Sequence, residues 1–359
     1  MSGDNAFVWP TPVPIAQSPM IGCGAALVAA VGQAGGLGAL ACASFTPQRV
    51  IEEAEKIRAA TRAPFVLNFF AHQPAPADEA VAARWRARLK PYYDEIGLDP
   101  ETAQPAGGRA PFDADMAHAV ETARPAIVSF HFGLPDERLL ARVKATGARV
   151  FSTATTVEEA RWLEAHGADA IIAQGVEAGG HRGMFLTRDV AAQQGLFALL
   201  PQVVDAVRVP VIAAGGVGDG RGIAAALALG AVAAQIGTGF LLTPEAGRPD
   251  IHKAAIRSVR ESGGAVETAL TNVLTGRPAR GIVTRLMREL GPMSPDAPAF
   301  PTASAWLDPV RLAFEAQGRN DLSMLWAGEA AVLAQEESAQ AVTTRLWAQA
   351  QETMAARRW

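Results

Sequence analysis

The feature that most constrains this chain is a repeated unit, in which a short apolar run is followed by a glycine-containing turn and a helix-like segment. The unit occurs eight times, with apolar runs at residues 14–20, 36–42, 65–70, 126–133, 149–154, 170–175, 210–216 and 233–240. Most of the runs are continuously apolar, as in strands buried on both faces of a parallel sheet. Eight such strands alternating with helices predict an α/β fold, the closed (β/α)8 TIM barrel.

The predicted helices have recognisable ends. Thr46 followed by Pro47 is typical of a helix start, because threonine caps the first turn and proline suits its first position. Gly147, Gly167 and Gly230 each stand before an alanine and the next apolar run, where glycine ends a helix in the left-handed conformation. This repeated joint supports the alternation of helices and strands.

Two departures from the repeat suggest how the domains are divided. An insertion at residues 71–123 follows the third strand, on the side of a barrel where active-site loops lie. After residue 242 the strand pattern stops. We therefore expect a barrel over residues 1–242 and a smaller, mainly helical substrate or cap domain over residues 243–359, whose last helix packs back on the barrel. Cap helices are expected at residues 251–261, 264–274 and 281–290.

Composition excludes several functional classes. The net charge of −4 and the pI near 5.9 argue against nucleic acid as a partner. Cys23 and Cys42 are the sole cysteines, without metal-ligand spacing, so we expect no metal site and a reducing, cytoplasmic location. The first 14 residues do not form a signal-peptide pattern, and no run of about 18 apolar residues predicts a membrane span.

Glycine-rich turns follow the seventh and eighth strands, in Ala214-Gly215-Gly216 and in Gln235-Ile236-Gly237-Thr238. Backbone N–H groups at these two places in a barrel commonly bind a phosphate. The alternative is that both are ordinary tight turns. Neither G-x-G-x-x-G nor the P-loop pattern occurs, which favours a mononucleotide phosphate over a dinucleotide or a triphosphate.

Two amides end apolar strands, Asn68 in the third and Gln174 in the sixth. A buried amide without a partner costs about 1–3 kcal/mol, so each needs a hydrogen-bond partner. That partner is either neighbouring backbone or the edge of a heteroaromatic ring.

Two histidines follow strands that lead to the predicted catalytic face. His181 follows Gly179 and Gly180 in a polar turn, where packing gives little reason for an imidazole, and it suits proton abstraction from carbon. His131 lies between phenylalanines and is either a core histidine or a substrate contact. Glu177 holds the loop or orients a partner, and the alternative is a solvated turn residue.

Taken in order, these motifs resemble the nitronate monooxygenases, formerly called 2-nitropropane dioxygenases, over roughly residues 14–290. The segment Glu177-Ala178-Gly179-Gly180-His181 is the most specific part. The other matching segments are Gln17-Ser18-Pro19-Met20, Gly35-Gly36-Leu37-Gly38, Asn68, Gln174-Gly175, Ala214-Gly215-Gly216 and Gln235-Ile236-Gly237-Thr238.

The resemblance implies an FMN-binding TIM barrel with a smaller substrate domain. It implies that His181 is the catalytic base. We also expect His131 and Glu177 to lie on the substrate side. The residues implied to bind FMN are Met20, Asn68, Gln174, Gly179, Gly215, Gly216, Gln235, Gly237 and Thr238.

The implied reaction takes an alkyl nitronate or a neutral nitroalkane with O2. It passes through a flavosemiquinone and gives a carbonyl compound and nitrite. The same barrel also resembles FMN-dependent NAD(P)H:quinone reductases and enoyl reductases, which we keep as the alternative. No tyrosine follows Tyr93 and no lysine follows Lys253, so the cap pocket differs from that of the best-defined class of the family. The expected partners are small molecules, and the oligomeric state stays open, with a homodimer as one alternative.

Overall fold

The computed structural model describes residues 7–74, 76, 78–100, 109–264 and 267–356. Its strands, in chain order, are β1 (Ile15–Gln17), β2 (Gly38–Ala41), β3 (Phe65–Phe70), β4 (Ile127–His131), β5 (Arg149–Ala154), β6 (Ala170–Gln174), β7 (Gly180–His181), β8 (Val211–Ala214), β9 (Ala233–Ile236), β10 (Thr268–Thr271) and β11 (Ala279–Ile282). Its α-helices are α1 (Ala25–Gln33), α2 (Pro47–Ala60), α3 (Glu79–Glu95), α4 (Ala114–Ala123), α5 (Glu137–Ala145), α6 (Val157–Ala165), α7 (Leu196–Ala206), α8 (Gly220–Ala228), α9 (Asp250–Glu261), α10 (Arg285–Leu290), α11 (Thr302–Ala316) and α12 (Ala339–Ala356).

Eight of the described strands form one parallel sheet in the order β1-β9-β8-β6-β5-β4-β3-β2. A bridge between Ala16 and Leu37 joins the two edges, with the Gln17 N–H donating to the Leu37 carbonyl at 2.8 Å. The sheet is therefore closed, and the predicted TIM barrel is confirmed. Each predicted apolar run contains one of these strands.

The helix ends follow the local chemistry that the sequence indicates. Thr46 caps α2 by accepting a hydrogen bond from the Arg49 N–H, and Pro47 is the first residue of the helix. Gly167 and Gly230, which end α6 and α8, have φ angles of +98° and +96°, a region that residues with a Cβ rarely adopt. These caps fix where each helix turns back to the next strand.

Small and branched apolar side chains fill the lower barrel interior, among them Ala16, Ala170 and Ile212, with Phe7 and Trp9 packed against them. The interior is a packed core rather than a channel. Open space is left at the carboxyl ends of the strands, which is where the candidate site lies.

The cap contains a small antiparallel sheet in the order β10-β11-β7. The prediction of a helix over residues 264–274 is wrong. Residues 268–271 form β10, whose Thr268 pairs with Ile282 of β11, and residues 265–266 lie outside the described residues. Backbone pairing with β11 overrides the apolar spacing that suggested a helix. For the same reason the helix predicted over residues 281–290 begins only at Arg285, after β11 ends.

The insertion contributes α3 to the cap and α4 to the ring of helices around the barrel. Trp85 of α3 is fully buried and donates its indole N–H to the Ala303 carbonyl of α11 at 3.1 Å. Residues 101–108 of the insertion lie outside the described range. At the other end of the chain, α12 packs against α8 and α1, with Val342 and Leu346 buried there. Among the described residues, no helix is long and apolar enough to cross a membrane.

Candidate active site

A cavity of about 360 Å³ opens at the carboxyl ends of the barrel strands, beneath the cap. All the predicted site residues line it: Met20, Asn68, His131, Gln174, Glu177, Gly179, His181, Gly215, Gly216, Gln235, Gly237 and Thr238. They come together because they lie at or after the carboxyl ends of six strands of one parallel barrel, β1, β3, β4, β6, β8 and β9, and those strand ends share a rim. Their individual contacts show what each of them can do.

The loop that carries His181 is held at its backbone. The Gln174 side chain donates to the His181 carbonyl at 3.0 Å and accepts from the Gly183 N–H at 2.8 Å. Farther along, the Arg182 N–H donates to the Pro278 carbonyl at 2.8 Å, next to the pairing of β7 with β11. The loop is thus fixed both to the barrel and to the cap, which gives the imidazole a defined position.

Arg182 also stabilises this loop, through side-chain hydrogen bonds to backbone carbonyls. Its side chain is fully buried and donates to the carbonyls of Gly175 at 2.7 Å and Gln174 at 2.8 Å, and to the Gln193 side chain at 3.0 Å. Burial lowers the pKa of its guanidinium to about 10, so the group remains charged at neutral pH. Sequence reasoning missed this role, because an arginine beside a glycine-rich turn usually faces solvent.

The His181 ring is surrounded by aromatic side chains. Its Nε2 lies 2.9 Å from the Thr275 hydroxyl, and none of the hydrogen bonds of the described residues involves its Nδ1. Burial, and then the charge of Arg109, lower the pKa of the imidazole well below its usual value, so the ring is neutral near pH 7. The surrounding rings have centroids 5.3–6.1 Å from that of His181 and belong to Phe70, Phe132, Phe300 and Trp326.

His131 lies directly beneath the same loop, and the protein occupies both of its ring nitrogens. Nε2 is 3.1 Å from the His181 carbonyl, which can only accept, so Nε2 carries the proton. Nδ1 therefore accepts from the Thr153 hydroxyl at 3.1 Å. Burial lowers the pKa of this imidazole to about 3. These contacts favour a role in orienting the His181 backbone.

The Glu177 carboxylate is directed at the start of α7. Both of its oxygens accept from the Leu196 N–H, at 2.9 and 3.0 Å. A carboxylate is favourable there because the N-terminus of a helix carries partial positive charge. Among the alternatives left by the sequence, this geometry favours the one in which Glu177 holds the loop.

The turns after β8 and β9 present free backbone N–H groups to the cavity. Gly216 has a φ angle of +68° and lies next to Gly215, where an added Cβ would come within 3.1 Å of the Ala178 Cβ. In the described part of the chain, the N–H groups of Gly216, Gly237 and Thr238 donate to no protein acceptor. Free backbone donors in glycine turns are well suited to bind a phosphate.

Amides and a thioether line the wall between these turns and His181. Asn68 donates to the Ser129 hydroxyl at 2.9 Å, and its Oδ1 has no partner among the described residues. Gln235 donates weakly to the Ser18 hydroxyl at 3.4 Å. Met20 is partly buried here. An unpartnered carbonyl oxygen facing a cavity can accept from the N–H of a bound heteroaromatic ring.

Neither tyrosine of the insertion reaches the cavity. The Tyr92 hydroxyl donates to Glu289, and the Tyr93 hydroxyl donates to the Trp306 carbonyl, each at 2.7 Å. The insertion instead contributes Arg109 to the cavity wall. Sequence reasoning missed Arg109 and also Thr275, because both lie in irregular segments without a motif.

The described residues provide neither a cluster of metal ligands nor a reactive thiol. The described residues contain no group of three or more His, Cys, Asp or Glu side chains that could hold a metal ion. Both cysteines are buried, and burial raises the pKa of the Cys23 thiol to about 11, so it is not a thiolate at neutral pH.

Comparison with known proteins gives consistent matches over nearly the whole chain. The sequence profile of the family described as "Nitronate monooxygenase" matches residues 8–349. The chain is 40% identical to a nitronate monooxygenase from Pseudomonas aeruginosa over 330 residues, which cover 90% of this chain and 92% of that protein. It is also 40% identical to one from Paraburkholderia phytofirmans over 338 residues, 93% and 91% of the two chains.

Solved structures agree with these matches. Nitroalkane oxidase from Streptomyces ansochromogenes aligns with a TM-score of 0.87 and 40% identity, over 97% of this chain and 98% of that one. FabK from Thermotoga maritima aligns with a TM-score of 0.68 and 24% identity, over 96% and 95% of the chains, and shows a shared fold.

Proposed function

The chain belongs to the nitronate monooxygenase family, and on that premise we propose that it binds FMN and uses O2 to oxidise alkyl nitronates and nitroalkanes to a carbonyl compound and nitrite. The observation that carries this proposal is the position of His181. A neutral imidazole lies in an aromatic pocket, in the same cavity as free backbone donors suited to a phosphate. This arrangement suits an apolar substrate placed between a base and a flavin.

The cavity residues fit FMN. The N–H groups of Gly216, Gly237 and Thr238 would hold the phosphate, and the free Oδ1 of Asn68 would accept from the ring. Gln174, Gln235, Met20, Gly179 and Gly215 would line the remainder of that binding surface. Bound FMN supplies the electron acceptor for the substrate and passes the electrons on to O2.

His181 is suited to accept a proton at Nδ1. The Thr275 hydroxyl lies 3.4 Å from the Arg277 carbonyl, to which it donates, so it accepts from Nε2–H of His181. The lone pair of Nδ1 is then free to take the α-proton of a neutral nitroalkane. A base in such a position contributes about 10²–10⁴ in rate. A preformed nitronate has already lost that proton and needs the imidazole far less.

The aromatic side chains and the cap shield this proton transfer from water. Phe70, Phe132, Phe300 and Trp326 surround the imidazole, and the cap backbone at Gly328 donates to the Thr238 hydroxyl at 3.0 Å. Exclusion of water favours the neutral form of His181 and strengthens the electrostatic interactions inside the site.

The variant His181→Asn tests this proposal. Nitrite release and O2 consumption are measured with nitroethane and with ethyl nitronate at pH 7, on protein whose FMN content is determined by absorbance. We expect kcat/KM for nitroethane to fall by about 10²–10⁴, whereas that for ethyl nitronate changes only a few-fold and FMN remains bound. If His181→Asn oxidises nitroethane at the wild-type rate, His181 is not the base in the reaction. Turnover of NADH with a quinone, without nitronate oxidation, would replace the proposed function with that of a reductase.

A further inference from the structure

Arg109 stands out among the cavity residues because its guanidinium has only weak hydrogen-bond partners among the described residues. Its Nη1 donates to the Ser304 hydroxyl at 3.3 Å and its Nη2 to the Met324 sulfur at 3.9 Å. Its buried Nε has no partner in the part of the chain that the structure describes. The nearby carboxylate of Asp308 is hydrogen-bonded at 2.9 Å to a different guanidinium, that of Arg311.

Two other arginines that line the cavity are better satisfied. Arg248 donates to the Ile21 carbonyl at 2.6 Å and to the His252 ring. Arg311 binds the carboxylates of Asp308 and Glu315 at 2.9 and 2.8 Å. A guanidinium has five N–H donors in a planar fork, and a desolvated one without strong acceptors is costly to bury. Among the described residues Arg109 therefore lacks the strong acceptors that Arg248 and Arg311 have, and a ligand in the cavity would supply one.

Arg109 and His181 face the same space. Both line the cavity, and Arg109 is the charged group that contributes most to lowering the pKa of His181, ahead of His131 and Arg277. A ligand between the two side chains would meet an uncharged base on one side and a cation on the other.

Building on the proposed function, we propose that Arg109 binds the two oxygens of the substrate's nitro or nitronate group. When His181 takes the α-proton of a nitroalkane, the C–H bond breaks and its electron pair moves through carbon and nitrogen onto those oxygens. The planar fork of a guanidinium matches a planar oxyanion in shape and in charge. Arg109 then binds a nitronate tightly from the start and stabilises the charge that develops on a nitroalkane.

Nitrate is a suitable probe because it is a planar oxyanion with no C–H bond. Its binding to the purified protein is measured by titration calorimetry for wild type, Arg109→Gln and Arg109→Lys. Arg88→Gln is the matched control, since Arg88 lies on α3 outside the cavity, is half-exposed, and its ion pair among the described residues is a long one, 3.8 Å to Asp296. The KM and kcat for ethyl nitronate are measured on the same preparations, and circular dichroism verifies the fold.

We expect Arg109→Gln to weaken nitrate binding and to raise KM for ethyl nitronate by about 10- to 100-fold, the range for a hydrogen bond to a charged group. We expect Arg109→Lys to recover part of both losses, and Arg88→Gln to change neither. Nitrate that binds Arg109→Gln as well as wild type, or that does not bind wild type, would overturn the inference. If nitrate binding depends on Arg109 but the enzyme does not oxidise nitronates, the proposed function fails and the anion site stands. If nitronate is oxidised with an unchanged KM in Arg109→Gln, only the anion site fails.

Discussion

At Gly179 the His181 loop packs against the cap backbone without room for a side chain. An ideal Cβ at Gly179 would lie 2.5 Å from the Gly328 nitrogen and 2.6 Å from the Ala327 carbonyl carbon. Ordinary contacts begin near 3.4 Å, so in Gly179→Ala the two backbones must separate by about 0.9 Å, the difference from 2.5 Å. Such overpacking of backbone typically costs about 1–3 kcal/mol of the free energy of unfolding.

The same separation disturbs the site. The Gly328 N–H donates to the Thr238 hydroxyl at 3.0 Å, and the next N–H, of Glu329, donates to the Glu177 carbonyl at 3.0 Å. A shift of about 1 Å in a catalytic group can cost about 10²-fold in rate. We therefore expect Gly179→Ala to lower kcat/KM for nitroethane by about 10²-fold, measured as nitrite release, and to lower the free energy of unfolding in urea by about 1–3 kcal/mol.

Gly180→Ala is the matched control for this prediction. Gly180 has a φ angle of +76°, which strains an alanine, but an added Cβ meets no atom within 4 Å. We expect a comparable loss of stability, about 1–2 kcal/mol, with a loss of activity smaller than tenfold. Wild-type kcat/KM in Gly179→Ala, or an equal loss of activity in both variants, would refute the role of this close contact in positioning His181.

Two further predictions concern stability. Burial lowers the pKa of His72 and of His252 to about 4, so below the usual value of 6.5 the unfolded chain binds protons that the folded chain does not. The free energy of unfolding in urea should therefore fall from pH 6.5 towards pH 4, by up to about 1.4 kcal/mol per pH unit for each histidine. If the free energy of unfolding does not fall over this range, these two imidazoles are protonated in the folded protein. Glu177→Ala removes the acceptor for the Leu196 N–H at the start of α7 and should lower the free energy of unfolding by about 1–2 kcal/mol. An unchanged urea midpoint in Glu177→Ala would contradict that loop-holding role.

The barrel could be predicted because each of its strands is encoded locally. A continuous apolar run such as residues 170–175 needs burial on both faces, and the glycine before it sets the turn. The cap sheet could not be predicted in this way. β7 has two residues, and it forms because its backbone meets β11 about 100 positions later in the chain. No periodic pattern in the sequence encodes such a pairing.

The candidate site, like the fold, has features that the sequence could predict and features that it could not. The sequence could indicate which residues line the cavity, because strand ends of a barrel converge on one rim. It could not assign their partners, since the bonds from His131 to Thr153 and from Glu177 to Leu196 depend on how the loops fold back. Arg109 was missed for a related reason, because an arginine in an irregular segment usually faces solvent and only the packed structure shows it lining the cavity.

The most direct test of the central claim is to mix the purified protein with a single reductant in the absence of oxygen. The flavin absorbance near its visible maximum is followed after addition of ethyl nitronate and, separately, of NADH or NADPH. We predict that the nitronate rapidly lowers the absorbance of oxidised FMN, that either nicotinamide leaves it nearly unchanged on the same timescale, and that admission of O2 restores it. Rapid loss of the absorbance with NADH or NADPH and none with the nitronate would contradict the proposed function.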